Sequence, residues 1–149
     1  MVPDDFDVPR VLDAPPFHLE PLGPQHNEAD HAAWTSSIEH IRATPGWAGG
    51  TWPPLEGMSL EQNRGDLEEH AADFESRKGF TYTVLDARTR DVIGCLYIYP
   101  HRDGTPGTKV RSWVRASHAH LDGPLHDVVS EWIADWPLAK DAEYAKRSG

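Results

Sequence analysis

A single cysteine, Cys95, stands in a chain of 149 residues. No internal disulfide can form. Cys95 lies within the apolar run Val92–Tyr99 and reads as a small buried hydrophobe. So little cysteine fits a reducing compartment, and a cytoplasmic location is expected. Basic residues are scarce too: 14 Lys and Arg against 24 Asp and Glu give a formal net charge of −10. Binding a phosphate backbone needs a positive surface, so nucleic acid is not an expected partner. No segment approaches the about 18 apolar residues of a membrane-crossing helix. The first 16 residues carry Asp4, Asp5 and Asp7 and lack the apolar centre of a secretory signal. No membrane contact is expected. The P-loop, the dinucleotide fingerprint, the nucleophile elbow and a catalytic Cys–His signature are all missing.

What is there fits one ordinary domain. Residues 1–16 hold four prolines and no periodicity, and read as a mobile lead-in. Phe17–Glu20 alternates apolar and polar, as a short strand does. From about Asn27 to Ala43, Trp34, Ile38 and Ile41 fall on one helical stripe. Thr44-Pro45-Gly46 ends it, and a loop to residue 57 holds Trp47 and Trp52. That loop either folds over the core or forms part of a binding surface. Ser59 and Gln62 have capping-box spacing at the start of a second helix. Its buried stripe is Leu60, Leu67, Ala71 and Phe74, and Gly79 is its expected end.

Three strands follow: Phe80–Leu85, Val92–Tyr99 and Val110–Ala116. The short polar turns between them predict antiparallel neighbours. The middle strand is apolar throughout and should be central. A last helix is expected from about Gly123 to Trp136, capped by Asp122, with residues 139–149 as a polar tail. The fold class is α+β: a mixed, mostly antiparallel sheet flanked by helices, over residues 17–138.

Nine histidines invite a metal reading, but the tightest pair, His118 and His120, has no further ligand at the right spacing except Asp122. No metal is expected. Tyr97 and Tyr99 share one strand face with Ile93 and Cys95, and either reach into a pocket or pack in the core. Trp113 lies between Arg111 and Arg115 on one face, as a lid or as a cation–π cluster. The junction from Arg115 to Gly123 joins a strand to a helix N-terminus, a ready anion site unless Asp122 caps it.

The order of elements resembles the GNAT (Gcn5-related) N-acetyltransferase fold over residues 17–136. "FHLEPLGPQHNEADHAAW" looks like the family's first strand and helix. "FTYTVLDARTRDVIGCLYIYP" looks like its second and third strands. "KVRSWVRASHAHLDGPLHDVVSEWI" looks like its fourth strand and the helix after it. The resemblance implies transfer of an acetyl group from acetyl-CoA to a small primary amine. It implies that the acyl chain enters where the fourth strand splays from a fifth. Trp113, Val114 and Arg115 would then meet the cofactor, with Ser117 and His118 beside its pyrophosphate.

The family's Q/R-x-x-G-x-G/A loop is represented by Arg115-Ala-Ser-His118-Ala-His120. The arginine fits, but neither glycine is present, and glycine serves there by letting backbone approach phosphate. The 13 residues after Trp136 hold no clear strand where the family has its fifth. Amine attack needs a base. Glu39, His40 or a water held by Tyr97 would serve as base. Tyr144 is the one candidate for the family's late tyrosine acid, Tyr99 is a further catalytic candidate, and Trp47, Trp52, His40 and Tyr97 would lie beside the substrate. A non-catalytic module of the same fold is the other reading. The third strand, left at an edge, would invite a homodimer.

Overall fold

The computed structural model describes residues 1–138 and 142–147. Among the described residues six strands form one sheet in the order β1-β2-β3-β4-β5-β6. They are β1 Leu12–Ala14, β2 Phe17–Pro21, β3 Phe80–Asp86, β4 Val92–Pro100, β5 Thr108–Val114 and β6 Ala142–Tyr144. Every neighbouring pair is antiparallel except β5 and β6, which are parallel. The described residues also form four α-helices: α1 Asn27–Thr35, α2 Ile38–Arg42, α3 Leu60–Ser76 and α4 Asp122–Ile133.

The sheet separates two cores. Leu125, Val129 and Ile133, one stripe of α4, pack with Phe80, Tyr82, Leu96 and Ile98 on one face. Trp34, Ile41, Trp47 and Leu67, from α1 to α3, pack with Cys95 and Trp113 on the other. Trp34 and Trp113 are 1% and 0% exposed. Burial of an indole of about 150–250 Å² contributes on the order of 4–6 kcal/mol before entropy is counted.

The helix expected over 27–43 is broken at Ser36-Ser37. Both hydroxyls are drawn away from helical roles: Ser36 Oγ donates to Ala33 O at 3.0 Å, and Ser37 Oγ accepts from Ala116 N at 2.9 Å. Serine competes with helical backbone bonds in this way. The capping box on α3 is present, with Gln62 N donating to Ser59 Oγ at 3.1 Å. The helix ends at Arg77, which takes the left-handed conformation at φ 64°. Gly79 has another reason to be glycine: a Cβ there would meet the Tyr99 ring at 2.2 Å.

Three other expectations are corrected. Residues 1–16 are not a free lead-in. They supply β1, place Phe6 and Val8 against the core, and accept a hydrogen bond from Tyr82 Oη to Pro9 O at 2.6 Å. Ile93 does not share the face of Cys95 and Tyr97. The β3–β4 register moves from Val84↔Gly94 to Leu85↔Val92, so Ile93 is an extra residue and turns into the α4 core. The tail holds a strand after all, β6, although residues 139–141 and 148–149 of it lie outside the described residues.

Beneath α1, Asp30 is 3% exposed and accepts from Asn63 Nδ2 at 3.2 Å. Burial raises its carboxyl to about 6 from the usual 3.8. The folded chain therefore holds a proton here that the unfolded chain has released. The stability this contributes is fully present below pH 3.8 and is lost as pH rises through about 6. Asp30→Asn keeps an acceptor for Asn63 and removes the buried charge. Urea melts should show the variant about 1–3 kcal/mol more stable than the parent at pH 8, the difference closing near pH 4.

Candidate functional site

The face of β4 and β5 covered by α1 to α3 gathers four of the six tryptophans, Trp34, Trp47, Trp52 and Trp113. Tyr97 and Arg111 are cross-strand partners, as are Cys95 and Trp113. The Trp113 indole donates from Nε1 to Tyr97 Oη at 3.1 Å. Trp52 fits between Trp34, Trp47 and Trp113, with ring centroids 5.4, 5.2 and 6.4 Å away. Trp47 is 4% exposed and carries the Arg111 guanidinium 4.2 Å above its ring. Its Nε1 donates to the backbone carbonyl of Ser112 at 2.9 Å. The loop with two tryptophans is thus folded over the core.

Tyr97 and Tyr99 lie at the end of this cluster, on the same strand face. Burial pushes the Tyr97 phenol well above its usual value. Tyr99 Oη donates to Asp73 Oδ2 at 2.9 Å and lies 2.9 Å from His70 Nδ1. Burial raises its pKa as well. Its proton is committed to Asp73, so Tyr99 is held as a structural donor. His70 and Asp73, both on α3, were not singled out by sequence reasoning. Their three-residue spacing on one helix face was the available signal.

Glu39 and His40 are elsewhere. They belong to an open cleft of about 430 Å³ lined by Thr35, Ser36, Ser37, Ile38, Glu39, His40 and Ala116. The Glu39 side chain is exposed, and His40 Nε2 is buried with no hydrogen-bond partner. The Arg115 side chain closes one border, its Nη1 at 3.4 Å from Val92 O and its Nη2 at 3.5 Å from Ser36 Oγ.

The strand-to-helix junction is a tight 3₁₀ turn, Ala116–Leu121, ahead of α4. Its first amide, Ala116 N, donates to Ser37 Oγ at 2.9 Å, and His118 N donates to Arg115 O at 2.8 Å. The Ser117 hydroxyl lies 2.8 Å from His118 Nδ1. Asp122 is not the cap. It is the first residue of α4, and its Oδ2 accepts from Arg147 Nε at 2.7 Å.

Tyr144 is far in function from the other candidates. Its hydroxyl lies 2.5 Å from Ser112 Oγ, its ring lies 4.2 Å from the His126 ring, and burial pushes its phenol up to about 12. It ties β6 to β5. The β5 edge, expected to be free for a second copy, is paired with β6 over Thr108–Val110. Beyond that point Ser112 O accepts from both Trp47 Nε1 and Arg147 Nη2, each at 2.9 Å.

These contacts test whether the residues suit acetyl-CoA. Trp113 and Val114 are both 0% exposed, so their side chains are not free to meet an acyl chain. The Ser112 carbonyl on the open side of β5 is taken, and so is the leading amide of the turn. No glycine stands in that turn. In this arrangement the residues do not fit the cofactor. Among the described residues no group of three or more His, Cys, Asp or Glu side chains is arranged to hold a metal ion.

No known family model matches the sequence, and no curated protein does. Solved structures do. A protein from Bordetella pertussis, assigned to the GnaT acetyltransferase family, superposes with TM-score 0.60 at 17% identity, over 85% of this chain and 71% of its own. A ribosomal-protein-S5-alanine acetyltransferase from Vibrio fischeri gives 0.59 at 14%, over 85% and 67%. The microcin C7 self-immunity acetyltransferase MccE, solved with acetyl-CoA and AMP, gives 0.62 at 11%, over 82% and 63%. Likeness at these identities is likeness of fold.

Trp47→Phe removes one donor from Ser112 O and leaves the ring in place. Chemical denaturation should show a loss of about 1–2 kcal/mol, and indole fluorescence should report the altered cluster.

Proposed function

We propose that this chain, whose fold is that of the GNAT-type acyl-CoA N-acyltransferases, is a non-catalytic module that binds a small amine in the cleft between Thr35–His40 and Ala116. The observation that carries this reading is the engagement of Ser112 O and Ala116 N by the protein's own side chains. Both acceptor positions of the Ser112 carbonyl are filled by Trp47 Nε1 and Arg147 Nη2, so none is left for a ligand's amide.

The cleft offers what an amine needs. The Glu39 carboxylate provides a counter-charge, and the hydroxyls of Thr35, Ser36 and Ser37 line the walls as acceptors. The net charge of −10 adds attraction for a cation at long range.

A second reading keeps the acetyltransferase activity. It is favoured by one observation: β6 runs parallel to β5 and pairs with it only over Thr108–Val110, a splay like the one implied by the family resemblance. In that reading acetyl-CoA supplies the activated acyl group. Glu39 or His40 would take the amine proton, Arg115 would flank the acyl chain, Ser117 and His118 would lie beside the phosphates, and the buried Trp113 and Val114 could take part only through their backbone. Both Trp47 and Arg147 would first have to leave Ser112.

Calorimetry separates the two. Titrating the protein with acetyl-CoA to millimolar levels should give no binding heat, and a panel of primary amines should yield no acetylated product. Saturable binding at any concentration up to about 1 mM, or a transfer rate lost in Glu39→Gln, overturns the non-catalytic reading. For the amine itself, Glu39→Gln should weaken binding by about 10-fold or more, as loss of a charge-assisted bond does.

A further inference from the structure

Beyond β5 the chain returns as β6 and then as an irregular stretch that brings Arg147 against Asp122, the first residue of α4. The Arg147 side chain is 7% exposed and that of Asp122 is 17%. Arg147 Nε donates to Asp122 Oδ2 at 2.7 Å, while Nη2 donates to Ser112 O at 2.9 Å and reaches Ser112 Oγ at 3.3 Å. Nη1 donates to Ala145 O at 2.7 Å, which locks that stretch. Tyr144 adds its hydroxyl to Ser112 Oγ, and its ring lies under the Arg147 guanidinium at 5.6 Å.

We infer that residues 142–147 are a built-in filling of the groove between β5 and α4, standing as part of the fold where the family resemblance puts acetyl-CoA. The inference deepens the proposed function and rests on its reading of the groove as closed. A guanidinium suits the role. It presents several donors in a rigid fork, so one side chain satisfies a carboxylate, a backbone carbonyl and a hydroxyl together. Opening the segment would forfeit these bonds, the Tyr144 packing and the β5–β6 ladder at once. Such a cluster of coupled contacts behaves as structure rather than as a lid.

Arg147→Ala tests this in the full chain. Removing the cation strands the half-buried Asp122, so the thermal midpoint should fall by about 10 °C. Coenzyme A at millimolar concentration should give no binding heat with either protein. If the variant melts as the parent does, the segment is not structural. If the variant gains coenzyme A binding that the parent lacks, the segment is a lid, and this inference fails while the closed groove of the parent stands. Binding by the parent itself overturns the proposed function. Should Arg147→Ala not fold, the structural role is supported, and Tyr144→Phe then carries the coenzyme A arm. It should lower the midpoint by about 2–4 °C without creating a binding site.

Discussion

The backbone carbonyl of Ser112 accepts two hydrogen bonds, one from Trp47 and one from Arg147, and these donors lie 65 and 35 residues away in sequence. Much of the molecule depends on that shared acceptor. It fixes the tryptophan loop over the helical face of the sheet, and with it the Arg111 stack and the packing of Trp52. From the other side it draws the chain after β6 against α4, where Arg147 meets Asp122. A carbonyl at a strand edge has two acceptor positions and must be satisfied when buried. Here both are supplied from within the chain.

The consequence is a fold associated with acyl transfer whose middle is filled. The one-residue bulge at Ile93 turns that side chain into the α4 core. Gly94 then lies so close to β5 that a Cβ would sit 2.4 Å from Trp113 O. Behind it, Trp113, Trp52 and Trp47 pack in sequence. The polar chemistry is displaced to two ends. At one, His70 and Asp73 both engage the Tyr99 hydroxyl. At the other, Glu39 and His40 border an open cleft of about 430 Å³.

The sequence made the frame legible because its signals are local. The capping box at Ser59 and Gln62, the apolar stripe of α4 and the short polar turns of the β3–β5 meander each need only neighbouring residues. The resemblance of element order to the acetyltransferase fold is matched by the solved structures. What was not legible depends on long-range contacts. Phe6 and Pro9 read as a free segment until Trp136 and Tyr82 are seen to hold them. Residue alternation cannot announce the bulge that moves Ile93. The polar Ala142–Tyr144 reads as tail because its pairing partner lies more than thirty residues back. The candidate site residues scattered for the same reason. Trp47, Trp52, Tyr97 and Tyr99 meet through β4, Glu39 and His40 stand apart, and Tyr144 serves the edge of β5.

A crystal structure grown with millimolar acetyl-CoA tests the account most directly, read at Ser112. The carbonyl should still accept from Trp47 Nε1 and Arg147 Nη2, with no thioester along β5. A pantetheine arm hydrogen-bonded to β5, with Arg147 swung away from Asp122, would contradict it.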